Sequence, residues 1–310
     1  MTDSSSDSVS IVIPCYNQAR FLRASIASVA AQTCAPLEII VVDDGSDDRT
    51  NEVARALSAT LIRQSNTGVS GARNTGLHAA RGAFVIFLDA DDELMPDAVQ
   101  TGVRALTSNA AAVCAVGRAR PMDEDGRDLN AVPPRPVGPD LYDAWLSENF
   151  VFTPGAAVFR RERLSSMAGF PIDVGPAADY AIYLQLARRG QVVDHGQPVV
   201  RYRNHPASMS TDGTRMLQAT MQVLRREAQH LPPGYEAAYR RGRAHWARWY
   251  GIQILEWLRD DLRRHGVRSA HLAALATLIR YCPGLLATRM ARRIRRGIAP
   301  SEASHRGHLP

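Results

Sequence analysis

Lysine is absent from this chain, so all 37 of its basic side chains are arginines. No run of about 18 apolar residues occurs either, which predicts that no helix spans a membrane. The first eight residues are polar and acidic, unlike the start of a secretory signal peptide, so we expect none. Only four cysteines are present, and their spacing is not that of a metal site. We therefore expect reduced thiols in a cytoplasmic protein.

The chain does contain enough apolar material for one α/β domain and an appendage, with 310 residues of which 45% are hydrophobic. Its net charge of +6 is unevenly distributed. Residues 240–310 hold 15 arginines and four acids, which gives about +11 there and leaves about −5 for the remainder. The C-terminal part is thus a basic segment attached to an acidic one.

Four helices are predicted in this basic part, over residues 214–230, 235–265, 269–281 and 284–296. The last combines five arginines with apolar residues, a pattern typical of a helix that lies on an anionic membrane surface. The alternative is a solvated helical cap whose apolar face packs on the rest of the chain or on a second subunit. A nucleic-acid partner is not expected, because no base-reading motif occurs and few aromatic residues lie among the arginines.

The most informative stretch is an apolar run that ends in acids, Ile86-Phe87-Leu88-Asp89-Ala90-Asp91-Asp92. Such a run is typical of a strand buried on both faces of a parallel sheet, where ligands bind at the carboxyl ends of the strands. Two neighbouring carboxylates repel each other, and a divalent cation such as Mg²⁺ or Mn²⁺ relieves the repulsion. Asp89 and Asp91 therefore indicate a metal–diphosphate site. The alternative is a pair of solvated loop acids that cap the next helix.

Strands and helices alternate along the first hundred residues. Strands are predicted over 9–14, 37–42, 60–62 and 83–88, and helices over 17–31 and 47–57, the second capped by Ser46 or Asp47. A glycine-rich stretch, 66–76, leads into a further helix. This alternation predicts β-α units in a Rossmann-like, mostly parallel sheet. Two strands would then deliver acidic ends to the same edge.

Four ordered stretches, 9–17, 40–46, 66–76 and 87–92, resemble glycosyltransferase family 2, whose members have the GT-A fold. The resemblance implies an α/β catalytic domain over residues 1–212, with a mostly parallel central sheet. Within it, a nucleotide-binding half would cover about 1–115 and an acceptor half 116–212. A basic helical region would follow over 213–310.

The resemblance further implies a nucleotide-diphosphate sugar as donor, most simply UDP-linked, and Mn²⁺ or Mg²⁺ as cofactor. Asp44 would accept a hydrogen bond from the uracil ring, Arg73 would donate to the nucleotide, and Asp91 would bind the metal. The expected donor-site residues are Pro14, Tyr16, Asn17, Asp44, Asn66, Arg73, Asp89, Ala90 and Asp91, with Asp91, Asp89 and His205 as metal ligands. The alternatives are Asp44 as a turn former, Arg73 as a surface helix residue and His205 as a structural side chain. Asp92 is expected to be a structural acid, in a turn or cap before the next helix.

An inverting transfer also needs a general base, and the resemblance places it at Asp179. Relatives carry a Glu-Asp pair at this point, whereas this chain has Ala178 before Asp179. Asp173 is the second candidate for the base. Asp179 as an acid favoured by the dipole of a helix N-terminus is the alternative interpretation. Arg201 and Arg203 are expected to contact phosphates from a basic loop.

Taken together, the resemblance implies an inverting, non-processive enzyme that moves one sugar to a carbohydrate or lipid-linked acceptor during polysaccharide or glycolipid biosynthesis. It would be cytoplasmic, or peripheral on the inner face of the membrane. Polymerising relatives carry a Gln-x-x-Arg-Trp motif and membrane spans, and this sequence shows neither. Two alternatives are transfer to a polyprenyl phosphate and a non-catalytic protein that holds a nucleotide sugar or scaffolds partners, which the alanine at 178 favours.

Overall fold

The computed structural model describes residues 7–130 and 137–287, which form an eight-stranded sheet flanked by helices. The strands are β1 (Val9–Cys15), β2 (Glu38–Asp43), β3 (Thr60–Arg63), β4 (Phe84–Phe87), β5 (Glu93–Leu94), β6 (Ala112–Met122), β7 (Ala157–Arg160) and β8 (Gln191–Arg203). The helices are α1 (Ala19–Ala30), α2 (Thr50–Ala56), α3 (Val69–Ala79), α4 (Ala98–Thr107), α5 (Leu141–Ser147), α6 (Arg161–Ser165), α7 (Ala178–Arg189), α8 (Gly213–Glu227), α9 (Glu236–His265) and α10 (Ser269–Tyr281).

The first four long strands form a parallel layer in the order β3-β2-β1-β4. At its centre, Val12 of β1 pairs with Ile40 of β2 on one side and Phe87 of β4 on the other. Every residue of β1 is buried, as expected for a strand covered on both faces. Because these strands are parallel, the acids that follow β2 and β4 lie at the same edge, as the sequence predicted.

The other half of the sheet mixes directions. β7 runs antiparallel to both β4 and β6, β8 runs parallel to β6, and the short β5 pairs antiparallel with β8 at the edge. The predicted α/β class with a mostly parallel sheet is confirmed, since four of the seven strand pairings are parallel. Through the antiparallel β7, the parallel layer and the later strands form one continuous sheet.

The predicted cap of the second helix is wrong. α2 begins at Thr50, three residues later than expected, and neither Ser46 nor Asp47 caps it. The Ser46 hydroxyl instead accepts from the Asn17 amide at 3.0 Å. Asp48 lies just before the N-cap residue Arg49, and its carboxylate accepts from the Thr50 amide at 3.0 Å.

Three C-terminal helices follow the sheet, close to the predicted bounds. α9 packs on α8 and α5, and the contact with α5 is so close that a Cβ atom at Gly242 would lie 1.8 Å from the Leu146 carbonyl oxygen. Most of the predicted fourth helix, with its five arginines, lies outside the described residues. Among the described helices none is both long and apolar enough to cross a membrane. The domain boundary at 212 remains a prediction.

Candidate active site

A cavity of about 960 Å³ opens at the carboxyl edge of the parallel strands. It is walled on one side by the loops after β1, β2 and β4, and on the other by the start of α7, the loop after β8 and part of α9. Nearly all the residues predicted from the sequence line it: Pro14, Tyr16, Asp44, Asn66, Arg73, Asp89, Ala90, Asp91 and Asp179. Separate segments of the sequence therefore meet in one space.

Asn17 and His205 do not line the cavity. Asn17 has a left-handed backbone (φ 53°), and its side-chain oxygen accepts from the Asp47 amide at 2.9 Å. This contact, with the one to Ser46, joins the loops after β1 and β2. Asn17 thus holds together two loops that border the cavity but does not face the cavity itself. Its predicted contact with a ligand is not supported by this geometry.

Asp44 is buried beneath the loop that leads into α3. Its carboxylate accepts from the Gln64 side chain at 2.8 Å, the Thr67 amide at 2.9 Å and the Gly68 amide at 2.8 Å. Gly68 adopts φ 83°, a conformation that glycine takes without strain. Asp44 therefore organises the loop and also faces the cavity, so the turn-forming and ligand-binding interpretations are compatible.

Arg73 is a buried residue on α3, so the interpretation as a surface helix residue is wrong. Its guanidinium is 5% exposed, lies 2.5 Å from the Asp89 carboxylate and stands over the Phe170 ring at 5.2 Å. Its Nε is buried and has no hydrogen-bond partner within residues 7–130 and 137–287. The guanidinium is thus paired with Asp89 but keeps one N–H without a partner, which favours an oxygen acceptor nearby.

Asp91 lies at the centre of a second polar group. Its Oδ2 is 2.9 Å from Nε2 of His205 and accepts from the Gln18 side chain at 3.2 Å. Burial, followed by repulsion from the neighbouring Asp89 carboxylate, raises the pKa of Asp91. His205 is packed against the Phe21 ring at 5.0 Å, and its Nδ1 finds no partner among the described residues. The cavity thus holds two neighbouring carboxylates, and the charge of Asp89 disfavours ionisation of Asp91.

These donors fit a divalent cation that shares its coordination with a ligand. Within the described residues, no cluster of three or more His, Cys, Asp and Glu side chains forms a complete metal site. Mg²⁺ and Mn²⁺ sites in phosphate-handling proteins need fewer, because one or two carboxylates act together with phosphate oxygens and water. Asp91 and His205 would hold such an ion, while Asp89 is already paired with Arg73.

Asp179 stands in the first turn of α7, where its Oδ1 accepts from the Tyr180 amide at 2.7 Å. Burial raises the pKa of Asp179 to about 6, although the nearby Arg73 guanidinium acts in the opposite direction. A carboxylate with this pKa is ionised at neutral pH and is still a better proton acceptor than an ordinary aspartate. Ala178 is 1% exposed, so a glutamate at this position would have to bury a longer, charged side chain.

The reserve candidates for the site are placed elsewhere. Asp173 is exposed and bound to Arg226, whose hydrogen bonds lower the pKa of Asp173 and make it a weaker base. Arg201 and Arg203 were expected to contact phosphates, and this prediction is wrong in this structure. Both guanidiniums bind Glu93 instead, at 2.7 and 2.6 Å. Neither arginine lines the cavity.

Asp92 is the structural acid that was expected. Its carboxylate is buried and accepts from the Thr153 hydroxyl at 2.9 Å and from the Arg203 amide at 3.0 Å. Burial, with repulsion from Asp91 and Asp89, raises its pKa well above the ordinary range. Asp92 therefore fastens the strand end that carries the acids to β8.

One part of the cavity was missed by the sequence reasoning. His245, Trp246, Trp249, Tyr250 and Gln253 of α9 also line it. The sequence did contain a signal for them, because these aromatic residues repeat at the spacing of one helical turn. Nothing in the sequence, however, indicated that this face of α9 lies in the same cavity as Asp179. The C-terminal region is thus a wall of the cavity as well as an appendage.

Comparison with known proteins agrees with this geometry. Residues 10–167 match the sequence profile described as Glycosyl transferase family 2, which is about half of the chain, so the chain belongs to this family. An uncharacterized glycosyltransferase of Nostoc sp. is 34% identical over 219 residues, which cover 64% of this chain and 66% of that protein. The Escherichia coli chondroitin synthase is 29% identical over 189 residues, or 59% of this chain and 27% of that protein. The chain thus matches at most two thirds of the length of these relatives.

Solved structures share the fold. Staphylococcus aureus TarS 1-349 in complex with UDP-GlcNAc superposes with a TM-score of 0.65 at 15% identity, over 87% of this chain and 79% of that one. The mannosyltransferase PcManGT from Pyrobaculum calidifontis, in complex with GDP-Man and Mn²⁺, gives 0.60 at 23% identity, over 91% and 83%. Both are GT-A structures, so the fold implied by the sequence is confirmed.

Proposed function

We propose that this protein is an inverting, metal-dependent glycosyltransferase that moves one sugar from a nucleotide-diphosphate sugar, most simply a UDP-sugar, to a hydroxyl of a carbohydrate or lipid-linked acceptor. The observation that carries the proposal is the shared cavity. A base-reading acid (Asp44), a metal-binding acid (Asp91) and a candidate general base (Asp179) line it, and His205 contacts Asp91 from outside the cavity. The nucleotide sugars bound by TarS and PcManGT support the donor class.

The reaction is a single displacement at the anomeric carbon of the donor. Asp179 accepts the proton of the acceptor hydroxyl as its oxygen bonds to that carbon. The bond from the carbon to the diphosphate oxygen breaks, and its electron pair leaves with the nucleoside diphosphate. A positioned base of this kind contributes about 10²–10⁴-fold to the rate. Attack from the side opposite the leaving group inverts the anomeric configuration.

The charged residues around the leaving group have separate tasks. A bound cation supplies neutralisation of the charge that develops on the diphosphate. Asp91 and His205 are the ligands that would hold it, and the Mn²⁺ present in the PcManGT complex supports a divalent ion. Arg73 fixes Asp89 through their 2.5 Å contact and keeps positive charge beside the donor pocket.

The first experiment is a thermal-shift panel of UDP, GDP, dTDP and CDP, each with and without Mn²⁺. A ligand that binds only the folded state stabilises it by about 2.7 kcal/mol at a hundredfold excess over Kd. We expect one nucleotide to raise the Tm in a metal-dependent way. No shift with any of the four would overturn the donor-site assignment.

The Asp91→Asn variant separates the enzyme from the non-catalytic alternative that the alanine at 178 favours. In the enzyme, Asp91→Asn loses turnover and the metal-dependent part of the Tm shift while it stays folded. Asp173→Asn, which removes an exposed acid outside the cavity, is the matched control and keeps both. If the unmodified protein binds a nucleotide but turns over no sugar with carbohydrate, lipid-linked or polyprenyl-phosphate acceptors, the binding-only function is correct.

We also propose a cytoplasmic location with peripheral contact to the membrane through the basic C-terminal helices. The charge of residues 240–310 supports this, since 15 arginines face only four acids there. A lipid-linked acceptor would be reached at such a surface.

A further inference from the structure

Four side chains of α9 form one wall of the cavity that contains Asp179. We define the aromatic wall as His245, Trp246, Trp249 and Tyr250, all of which line that cavity. Residues four apart lie on the same face of a helix, so 245 and 249, and 246 and 250, stack above each other along α9. The aromatic wall shares this cavity with the loops assigned to the nucleotide.

The aromatic wall reaches the candidate base through direct ring contacts. The Tyr180 ring, one residue after Asp179, meets the Trp246 ring edge-on at 5.9 Å. Trp246 in turn stacks on Tyr250 at 5.5 Å with an interplanar angle of 14°. Burial, and next the charge of Asp179, raise the pKa of Tyr250, which places this ring within electrostatic reach of the base.

Trp249 is the member of the aromatic wall that offers a free ring surface. It is 54% exposed, whereas Trp246 is 7% and Tyr250 8% exposed. Its ring lies nearly parallel to that of His245, at 6.2 Å and 12°. An exposed indole inside a cavity is a typical binding element, because its apolar face remains to be covered.

The surroundings of Trp249 point to a sugar ring rather than a lipid chain. Asn149, Arg215 and Gln253 line the same cavity and supply hydrogen-bonding groups to it. A pyranose has an apolar face of C–H groups and a rim of hydroxyls, so it matches an aromatic surface bordered by polar side chains. A hydrocarbon chain would leave those polar groups without partners.

We propose that Trp249 is a specificity-determining residue that stacks on the sugar ring of the acceptor and directs one of its hydroxyls toward Asp179. The acceptor is then a glycoside, whether or not a lipid is attached further along. This inference rests on the proposed function, because it assigns the acceptor for the same cavity.

A direct test is ¹⁹F NMR of the full-length protein labelled with 5-fluorotryptophan. The chain has four tryptophans, and the signals are assigned with Trp249→Phe and Trp257→Phe. Methyl glycosides of glucose, galactose and N-acetylglucosamine are titrated in the presence of UDP and Mn²⁺. We expect at least one glycoside to shift the Trp249 signal and leave that of Trp257, which lies on the same helix outside the cavity, unchanged. No response of Trp249 to any glycoside, or a response only to phosphatidylglycerol vesicles, would overturn the inference.

Kinetics provide the second test. Trp249→Ala should raise the KM for the glycoside acceptor by about tenfold or more, Trp249→Phe should raise it less, and Trp257→Ala should leave it unchanged. The UDP-induced rise in Tm should be equal in all three variants. If no nucleotide changes the Tm of the unmodified protein, the donor proposal fails; if the shift is present and Trp249→Ala leaves the acceptor KM unchanged, only the acceptor inference fails.

Discussion

At the scale of single residues, the candidate site contains acids whose ionised form is disfavoured by burial. Burial raises the pKa values of Asp179 and Asp91, the Asp89 carboxylate adds to the rise at both, and the Arg73 guanidinium opposes it at Asp179. Such arrangements lower stability in exchange for reactivity, since burial disfavours the charged form. The stability of this protein should therefore respond to the removal of a functional acid.

Asp179→Asn should abolish most activity and stabilise the fold. The loss of a general base lowers kcat by about 10²-fold or more. Because the folded pKa of about 6 lies above the ordinary value of 3.8, the ionised carboxylate is unfavourable in the fold at pH 7. Its removal should raise the free energy of unfolding by about 1–3 kcal/mol, measured by urea denaturation. The stability gain should disappear below about pH 4, where the carboxyl is protonated in both states. A variant that keeps its activity would exclude Asp179 as the base.

The activity of the unmodified protein should fall as the pH is lowered through about 6. Protonation of Asp179, whose pKa burial raises to about 6, removes the proton acceptor, so kcat/KM should decrease tenfold for each pH unit below that value. The measurement is a pH profile of kcat/KM at constant ionic strength, with folding checked at each pH by circular dichroism. A profile that is flat down to pH 5 would show that another group takes the proton.

At the scale of elements, the shape of the cavity depends on how closely α9 packs against α5. Gly242 allows the α9 backbone to approach the Leu146 carbonyl at the end of α5. On the other side of that contact, Trp145 stacks between Phe150 and Tyr183 in the core. The position of the aromatic wall is thus fixed by a glycine contact and by the packing behind it.

Gly242→Ala should destabilise the protein and displace α9. The new methyl group would overlap the Leu146 carbonyl, and overpacking of this kind costs about 1–3 kcal/mol. We expect a lower Tm and a higher KM for the acceptor with little change in nucleotide binding. Gly138→Ala is the control, because no atom lies within 4 Å of the added Cβ there. Equal behaviour of the two variants would contradict the close docking of α9.

At the scale of the whole molecule, charge is separated along the chain. Residues 240–310 carry about +11 and the remainder about −5, so one end of the sequence is attracted to anionic surfaces. Each exposed basic residue near an anionic bilayer contributes about 1 kcal/mol, and salt screens the attraction. The proposed membrane contact should therefore weaken when basic residues are removed and when the salt concentration rises.

The protein should sediment with phosphatidylglycerol vesicles at low salt and release from them as the salt concentration rises. Replacing Arg289, Arg292, Arg293, Arg295 and Arg296 with glutamine should remove most of this binding. A control with the same number of glutamines at the exposed positions Arg23, Arg55, Arg104, Arg163 and Arg189 should retain it. Equal loss in both variants would mean that the binding reflects total charge and that the C-terminal segment has no special part in it.

The sequence by itself determined the fold class, the family and most of the donor side of the cavity. Buried strands appear as apolar runs, and parallel strands bring their carboxyl ends together, so Asp44, Asp89 and Asp91 could be placed at one edge without coordinates. The helices were found because their apolar spacing is local. Small errors remained where a side chain has competing partners, as at Ser46, which binds Asn17 instead of capping α2.

Only the tertiary structure decided the side of the cavity that is proposed to bind the acceptor. Whether Arg201 and Arg203 face phosphates or Glu93, and whether Asp173 faces the cavity or Arg226, depends on contacts between residues far apart in sequence. The same holds for Trp249, whose place beside the cavity follows from the packing of α9 on α5. Local spacing specifies an element and the face it buries, but the packing partner is set by long-range complementarity that a single sequence does not display.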